Sequence, residues 1–235
     1  MKYFYLYIIF FCLLSNIVYS QDTIKFYFDE EWNELSDSNN ASFYRKAYKD
    51  NKIMIVNDYF IKSNRIQMIG AVDIKNPEIK EGPFVYYNEN GQKSSKGIFL
   101  KNKKQGKWVY WYHSGNKDAE GLYSDGLKTG EWKYWFKSGQ LQTSENYKDG
   151  TLLSIVKYFE NGVKSFSGEF RYGLKHGKWT YWNCEGNISM EGNYKNGHRT
   201  GEWIRYFPEG CMKVDYKNDE IVGQQLGSII KKTEW

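Results

Sequence analysis

Between residues 82 and 223 the chain repeats itself about every 24 residues, and this limits its fold more severely than any other feature. Gly106-Lys107-Trp108-Val109-Tyr110-Trp111-Tyr112-His113-Ser114-Gly115 is followed by Gly130-Glu131-Trp132-Lys133-Tyr134-Trp135-Phe136-Lys137-Ser138-Gly139. Gly177-Lys178-Trp179-Thr180-Tyr181-Trp182 closes at Gly186, and Gly201-Glu202-Trp203-Ile204-Arg205-Tyr206-Phe207 closes at Gly210. Two weaker copies run from Gly82 through Phe84 and Tyr87 to Gly91, and from Leu153 through Ile155 and Tyr158 to Gly162. Another aromatic follows most closing glycines at a fixed interval, at Phe99, Tyr123, Tyr147, Phe170 and Tyr194, with Tyr216 arriving early. Asp125-Gly126, Asp149-Gly150 and Asn196-Gly197 come next, and Asp-Gly or Asn-Gly between apolar runs is the strongest short-range hairpin signal. Each unit therefore reads as two short strands and two turns.

Composition agrees with that reading. The 235 residues include 21 Tyr, 14 Phe and 9 Trp within a hydrophobic content of 40%, so aliphatic side chains are too few to fill a layered core. Rings suit a pleated surface, and 22 glycines supply the corners. Only three prolines are present, which excludes collagen-like and proline-rich disordered chains. The prediction is an all-β protein: an elongated antiparallel sheet of stacked hairpins in six copies.

The combined pattern, aromatic-x-x-Gly-x-x-x-Gly-x-Trp-x-Tyr-aromatic-x-x-x-Gly, resembles the MORN repeat, in the tryptophan-bearing variant of bacterial proteins labelled YwqK-type antitoxins. The resemblance implies a twisted sheet with one hairpin per repeat and a role in binding a protein partner. The antitoxin label implies neutralising a toxin by direct contact. The departures are Leu153 for the second glycine, Lys157 and Arg205 for the tyrosine, and Asp219 for the first glycine. They predict local irregularity near 150–157 and at the C-terminal end.

The flanks differ from the array. Met1-Lys2, an apolar run from Tyr3 to Leu14, and Val18-Tyr19-Ser20-Gln21 have the basic, apolar, small-residue layout of a secretory signal over 1–20, cleaved between Ser20 and Gln21. The mature chain is then exported to the periplasm, the cell surface or the medium, with no transmembrane span. Residues 21–81 read as an irregular β capping region, with strands from Thr23 to Phe28 and Phe43 to Tyr48. Asp58-Tyr59-Phe60, Asn64 and Val72 echo the repeat there as a degenerate unit. Residues 224–235 read as a C-terminal tail. Loss of Cys12 with the signal leaves Cys184 and Cys211, which are either bridged between neighbouring hairpin tips or two free thiols.

Stacking the repeats aligns Phe84, Trp108, Trp132, Ile155, Trp179 and Trp203 in one row, with equivalent positions about 10 Å apart. Tyr87, Trp111, Trp135, Tyr158, Trp182 and Tyr206 form a second row, three positions on and so on the other face unless a bulge intervenes. These rows are the candidate packing and binding residues. Catalytic chemistry is not encoded. His113, His176 and His198 fall at turns in different phases of the repeat and do not assemble a metal triad. The acids scatter, and no nucleophile, zinc or phosphate-loop motif occurs. A net charge of +5 is too small a surplus for a nucleic-acid reader. The expectation is a non-enzymatic binding protein without cofactor or metal, its partner a protein. The alternatives are an envelope glycan held on the aromatic ladder, or a toxin.

Overall fold

The computed structural model describes residues 23–227, and all of their regular structure is β. The expected leader lies outside the described residues, as does residue 228 onward of the expected tail. Five strands lead: β1 (Ile24–Phe28), β2 (Glu34–Leu35), β3 (Phe43–Asp50), β4 (Ile53–Phe60) and β5 (Ile66–Asp73). Six hairpins follow. They are β6 (Gly82–Tyr87) with β7 (Lys93–Leu100), β8 (Lys103–Trp111) with β9 (Lys117–Ser124), and β10 (Leu127–Trp135) with β11 (Leu141–Lys148). Then come β12 (Thr151–Tyr158) with β13 (Lys164–Arg171), β14 (Leu174–Trp182) with β15 (Ile188–Lys195), and β16 (His198–Phe207) with β17 (Gly210–Lys217). β18 (Glu220–Gly227) ends the series. All 18 strands make one open sheet, antiparallel throughout, in chain order from β3 to β18, with β1 joining β2 to β3. The all-β expectation holds, and so does the hairpin-by-hairpin order.

Between hairpins the register slips in one recurrent way. Leu122 pairs with Thr129 and Glu120 with Lys133, so Gly121 alone stands opposite Gly130, Glu131 and Trp132. Gly97, Gly168 and Gly192 stand the same way opposite the three residues ending in Trp108, Trp179 and Trp203. The surplus residues form a wide bulge, and Gly130 takes φ +64° to make it. The ring is thereby laid flat onto the facing glycine. A Cβ on Gly97, Gly121, Gly168 or Gly192 would stand under 3.0 Å from the indole, and one on Gly70 would collide with Phe84 in the same way. Each indole N–H donates to the carbonyl of the residue after its glycine: Ile98 at 3.2 Å, Leu122 at 3.0 Å, Glu169 at 3.2 Å and Asn193 at 3.1 Å. The core of this single-layer sheet is thus built from rings lying on glycines, with the polar edge of each indole satisfied.

The leading strands continue the same sheet. Ala47, Val56, Met68 and Val72 join Phe84, Phe99 and Trp108 in one buried cluster. Asp58, 1% exposed, is neutralised across the β3–β4 ladder by Arg45, which donates from Nε at 2.7 Å and from Nη2 at 2.9 Å. The pair is bidentate, and Arg45 reaches partly into solvent. Asp58→Ala is expected to cost roughly 2–3 kcal/mol, because it strips a half-buried guanidinium of its acceptor. A urea titration should show a lower midpoint with an unchanged slope. Near this end of the sheet Trp32, in the turn after β1, stacks on Phe43 of β3 with ring centroids 4.5 Å apart.

Cys184 and Cys211 are both free. Cys184 lies in the turn between β14 and β15, and Cys211 is the second residue of β17, with β16 between β15 and β17. At about 4.8 Å per strand the two thiols are roughly 10 Å or more apart, beyond the reach of a disulfide.

Candidate interaction face

The two predicted rows occupy opposite faces and have opposite characters. On the first face Phe84, Trp108, Trp132 and Trp179 are each 1% exposed and Trp203 is 2%, so these rings are core and offer nothing to a ligand. Ile155 is half-buried. A cation four residues before each ring, at Lys80, Lys104, Lys128, Lys175 and Arg199, recurs with the same period, and its role was not foreseen. The Lys104 ammonium lies 4.4 Å from the Trp108 ring centre, 5.1 Å from Tyr110 and 5.2 Å from Tyr123, and donates to the Tyr110 hydroxyl at 2.8 Å. Lys128 repeats this against Trp132, Tyr134 and Tyr147. Lys175 does so against Trp179 and Tyr194. Four of the six repeats therefore fill their aromatic cage with their own ammonium, Arg199 sets a guanidinium over Tyr216 in the last, and the β12–β13 repeat has Thr151 at that position. Burial, and then the like charges of Lys80 and Lys128, push the Lys104 pKa down.

The second row lies on the other face. Lys96 precedes Gly97 and so points away from Trp108, and it covers the Trp111 ring at 5.9 Å. Lys117 covers Trp135 at 4.7 Å and Lys164 covers Trp182 at 5.8 Å. Tyr87, Trp111, Trp135, Tyr158 and Trp182 are half-buried and Tyr206 is exposed. The register slips just before most of these rings, at Tyr110/Trp111 and Tyr134/Trp135 for example. The extra residue sits on the partner strand, so alternation along the row's own strands is preserved.

Several charges on this outer face are paired. Glu120 binds Lys117 at 3.0 Å and Lys107 at 3.2 Å. Glu191 binds Lys178 at 2.8 Å and accepts from the Tyr206 hydroxyl at 3.2 Å, and Lys213 binds Glu202 at 2.9 Å. Burial would raise the Glu120 carboxyl, but hydrogen bonds from Lys117 and Lys107 outweigh it and hold the group below its usual value. The face is thus an aromatic ladder flanked by ion pairs and by lysines laid over its rings.

The histidines stay apart. His113 lies in the β8–β9 turn, where Asn90 binds its carbonyl, and His198 opens β16 beside Asp219 at 2.7 Å. His176, expected at a turn, is the third residue of β14, with Nδ1 buried and unpartnered. Among the described residues no group of three or more His, Cys, Asp or Glu side chains is placed to hold a metal ion. No helix among them is long and apolar enough to cross a membrane.

The phenols of the caged face give it a pH signature. Burial, together with the Glu145 carboxylate that accepts from its hydroxyl at 2.8 Å, pushes the Tyr147 pKa up from 10.0 to about 12. Tyr110 and Tyr134 are raised further, chiefly by burial. A raised folded pKa makes stability complete below the unfolded value and diminishes it as pH rises through the folded one. Stability is therefore expected to fall from about pH 10 upward, with Tyr147 contributing up to about pH 12. Tyr147→Phe should flatten that decline in denaturant titrations across this range.

A family model for a MORN repeat variant matches residues 128–149 and 175–196. The two segments are the β10–β11 and β14–β15 hairpins, each of which seats an indole on a glycine. The chain therefore contains MORN-type repeats. No curated protein matches it.

Proposed function

We propose that this is an exported, non-catalytic repeat protein that captures a protein partner on its outer face, along Tyr87, Trp111, Trp135, Tyr158, Trp182 and Tyr206. The observation that carries the reading is the division of labour between faces: one row of rings is consumed by the core, while the other is left half-buried or exposed at every repeat. Half-exposed rings bordered by paired charges form the apolar-centre, polar-rim pattern of a protein interface. A glycan would stack flat on an indole, but Lys96, Lys117 and Lys164 already occupy ring faces of Trp111, Trp135 and Trp182, which favours a protein over a sugar. Neutralisation of a toxin by contact, as the antitoxin label of similar proteins suggests, is one form such capture would take.

The test is crosslinked capture from an envelope fraction by the mature chain, beside Trp111→Ala, Trp135→Ala and Trp182→Ala variants verified as folded by circular dichroism. A specific partner retained by wild type and lost by the variants is expected. Equal recovery from all of them would overturn the reading. A tryptophan fluorescence shift with peptidoglycan fragments, absent in the same variants, would overturn it in favour of the glycan.

A further inference from the structure

The repeat departs furthest from its pattern in the hairpin of β12 and β13, where several features fail together. Elsewhere the bulge glycine pairs with the following strand's aromatic, as in Gly106↔Tyr123, Gly130↔Tyr147 and Gly177↔Tyr194. The β12–β13 ladder instead begins one step later, at Ser154↔Glu169, so Leu153 and Phe170 do not pair. Elsewhere each Asp-Gly or Asn-Gly turn is stapled to the hairpin before it: Gly126 N–H donates to Lys104 O at 2.9 Å, Gly150 to Lys128 O at 2.8 Å and Gly197 to Lys175 O at 2.9 Å. Among the described residues Gly173 makes no such bond. The inner rings are in contact from Phe84 to Tyr134 and again from Phe166 to Tyr216, and no ring contact joins the two sets.

Beside these departures lies an open depression of about 720 Å³ on the sheet, walled by Leu153, Phe170 and Tyr172 and rimmed by Lys148, Asp149 and Arg171. Tyr172 is its most unusual wall. It holds φ +54° where the regular turns use Asp125, Asp149 and Asn196, and it is 85% exposed. A tyrosine is strained in that backbone, where Asn and Asp are tolerated, and here the strain secures no burial. A strained, exposed ring beside a cleft calls for a role outside the fold. Lys148 and Arg171 outnumber Asp149, and among the described residues neither cation is in a salt bridge, although the Arg171 guanidinium lies 5.4 Å from the Tyr172 ring centre and covers one side of it.

We propose that this notch seats a segment of the partner protein that inserts an aromatic side chain between Leu153, Phe170 and Tyr172 and sets an adjacent carboxylate against Lys148 and Arg171. The proposal rests on the protein-capture reading above. The inserted ring supplies what this one repeat lacks, and it meets Phe170, which is itself packed edge-on against Trp179 at 5.4 Å. The carboxylate follows from the unbalanced rim.

The probe is the capped dipeptide N-acetyl-Asp-Trp-amide, titrated into the isotope-labelled mature chain and followed by amide chemical shifts, with N-acetyl-Lys-Trp-amide as the charge control. Shifts are expected at residues 148–153 and 170–173, stronger for the acidic peptide. Tyr172→Asn restores the regular turn, so it should leave the melting temperature equal or higher while weakening the peptide about tenfold. Lys148→Glu with Arg171→Glu should reverse the preference between the two peptides. No saturable shift at the notch, or shifts confined to the outer aromatic row, would overturn the proposal. Because the peptide is read without the natural partner, this outcome is independent of the capture experiment. A partner lost by the outer-face variants but retained in full by Tyr172→Asn would remove the notch and leave the capture reading standing.

Discussion

Trp132→Ala is expected to lower stability by about 3–5 kcal/mol, against about 1 kcal/mol for Trp135→Ala three residues away. Both changes delete the same ring from the same strand, so the difference isolates the face. Trp132 touches Tyr123 at 4.9 Å, Tyr134 at 6.2 Å and Tyr110 at 6.3 Å, and its N–H donates to the Leu122 carbonyl at 3.0 Å. Its removal leaves a void floored by Gly121, which has no side chain with which to fill it, and takes from the Leu122 carbonyl the indole N–H it accepts. Lys128 loses the ring 4.6 Å beneath its ammonium as well. A repeat array derives its stability from neighbour contacts, so the loss should be felt by the hairpins on either side as lower protection of their amides from hydrogen exchange. Trp135 is half-buried, roofed by Lys117 and otherwise wet, and its loss should leave those amides unchanged. Equal destabilisation by the two changes would mean that the core is not confined to one face.

The period of the array was legible because turn chemistry and ring spacing both mark it: glycine and Asp-Gly corners fix where the chain reverses, and Trp108, Trp132, Trp179 and Trp203 fix the phase. Face assignment followed from alternation, since the bulges near the second row lie on the partner strands. What pattern reading missed is the glycine two residues before Phe99, Tyr123, Phe170 and Tyr194, at Gly97, Gly121, Gly168 and Gly192. Such a glycine inside a strand reads as a weak point, and only the slipped register reveals it as the seat of a ring from the next hairpin. The caging lysines were hidden for a similar reason: a cation every repeat looks like ordinary surface charge until its ring is seen beneath it. Leu153 stands out in the sequence as a departure, but a one-letter change does not disclose that a strand pairing, a turn staple and the continuity of the rings fail with it. For Cys184 and Cys211 the sequence leaves a bridge and two free thiols both open, and the strands that separate them in the sheet decide for free thiols.

Gly121→Ala tests that interlock directly, and is expected to cost roughly 3 kcal/mol although it adds a single methyl group. The new Cβ would stand under 3.0 Å from the Trp132 indole, which is held below it by its bond to Leu122 and above it by Lys128, so the ring has nowhere to retreat. Gly139→Ala is the matching control. It adds the same methyl where nothing lies within 4 Å, at φ +92°, so its cost is backbone strain alone, about 1–2 kcal/mol. The chain already contains the compensated form of the lesion. Where glycine is replaced by Glu145, the facing ring is replaced by Ile155, the two pair directly, and the bulge contracts so that only Leu153 is surplus. Where Val214 takes the glycine position, it pairs with Gln224 instead of lying under a ring. Ring and glycine are thus kept or lost together. In a Trp132→Ile background Gly121→Ala should accordingly be far less harmful, giving a double-mutant coupling of about 1–3 kcal/mol in denaturant titrations. Additivity of the two changes would mean that the glycine serves its own backbone and not the indole laid across it.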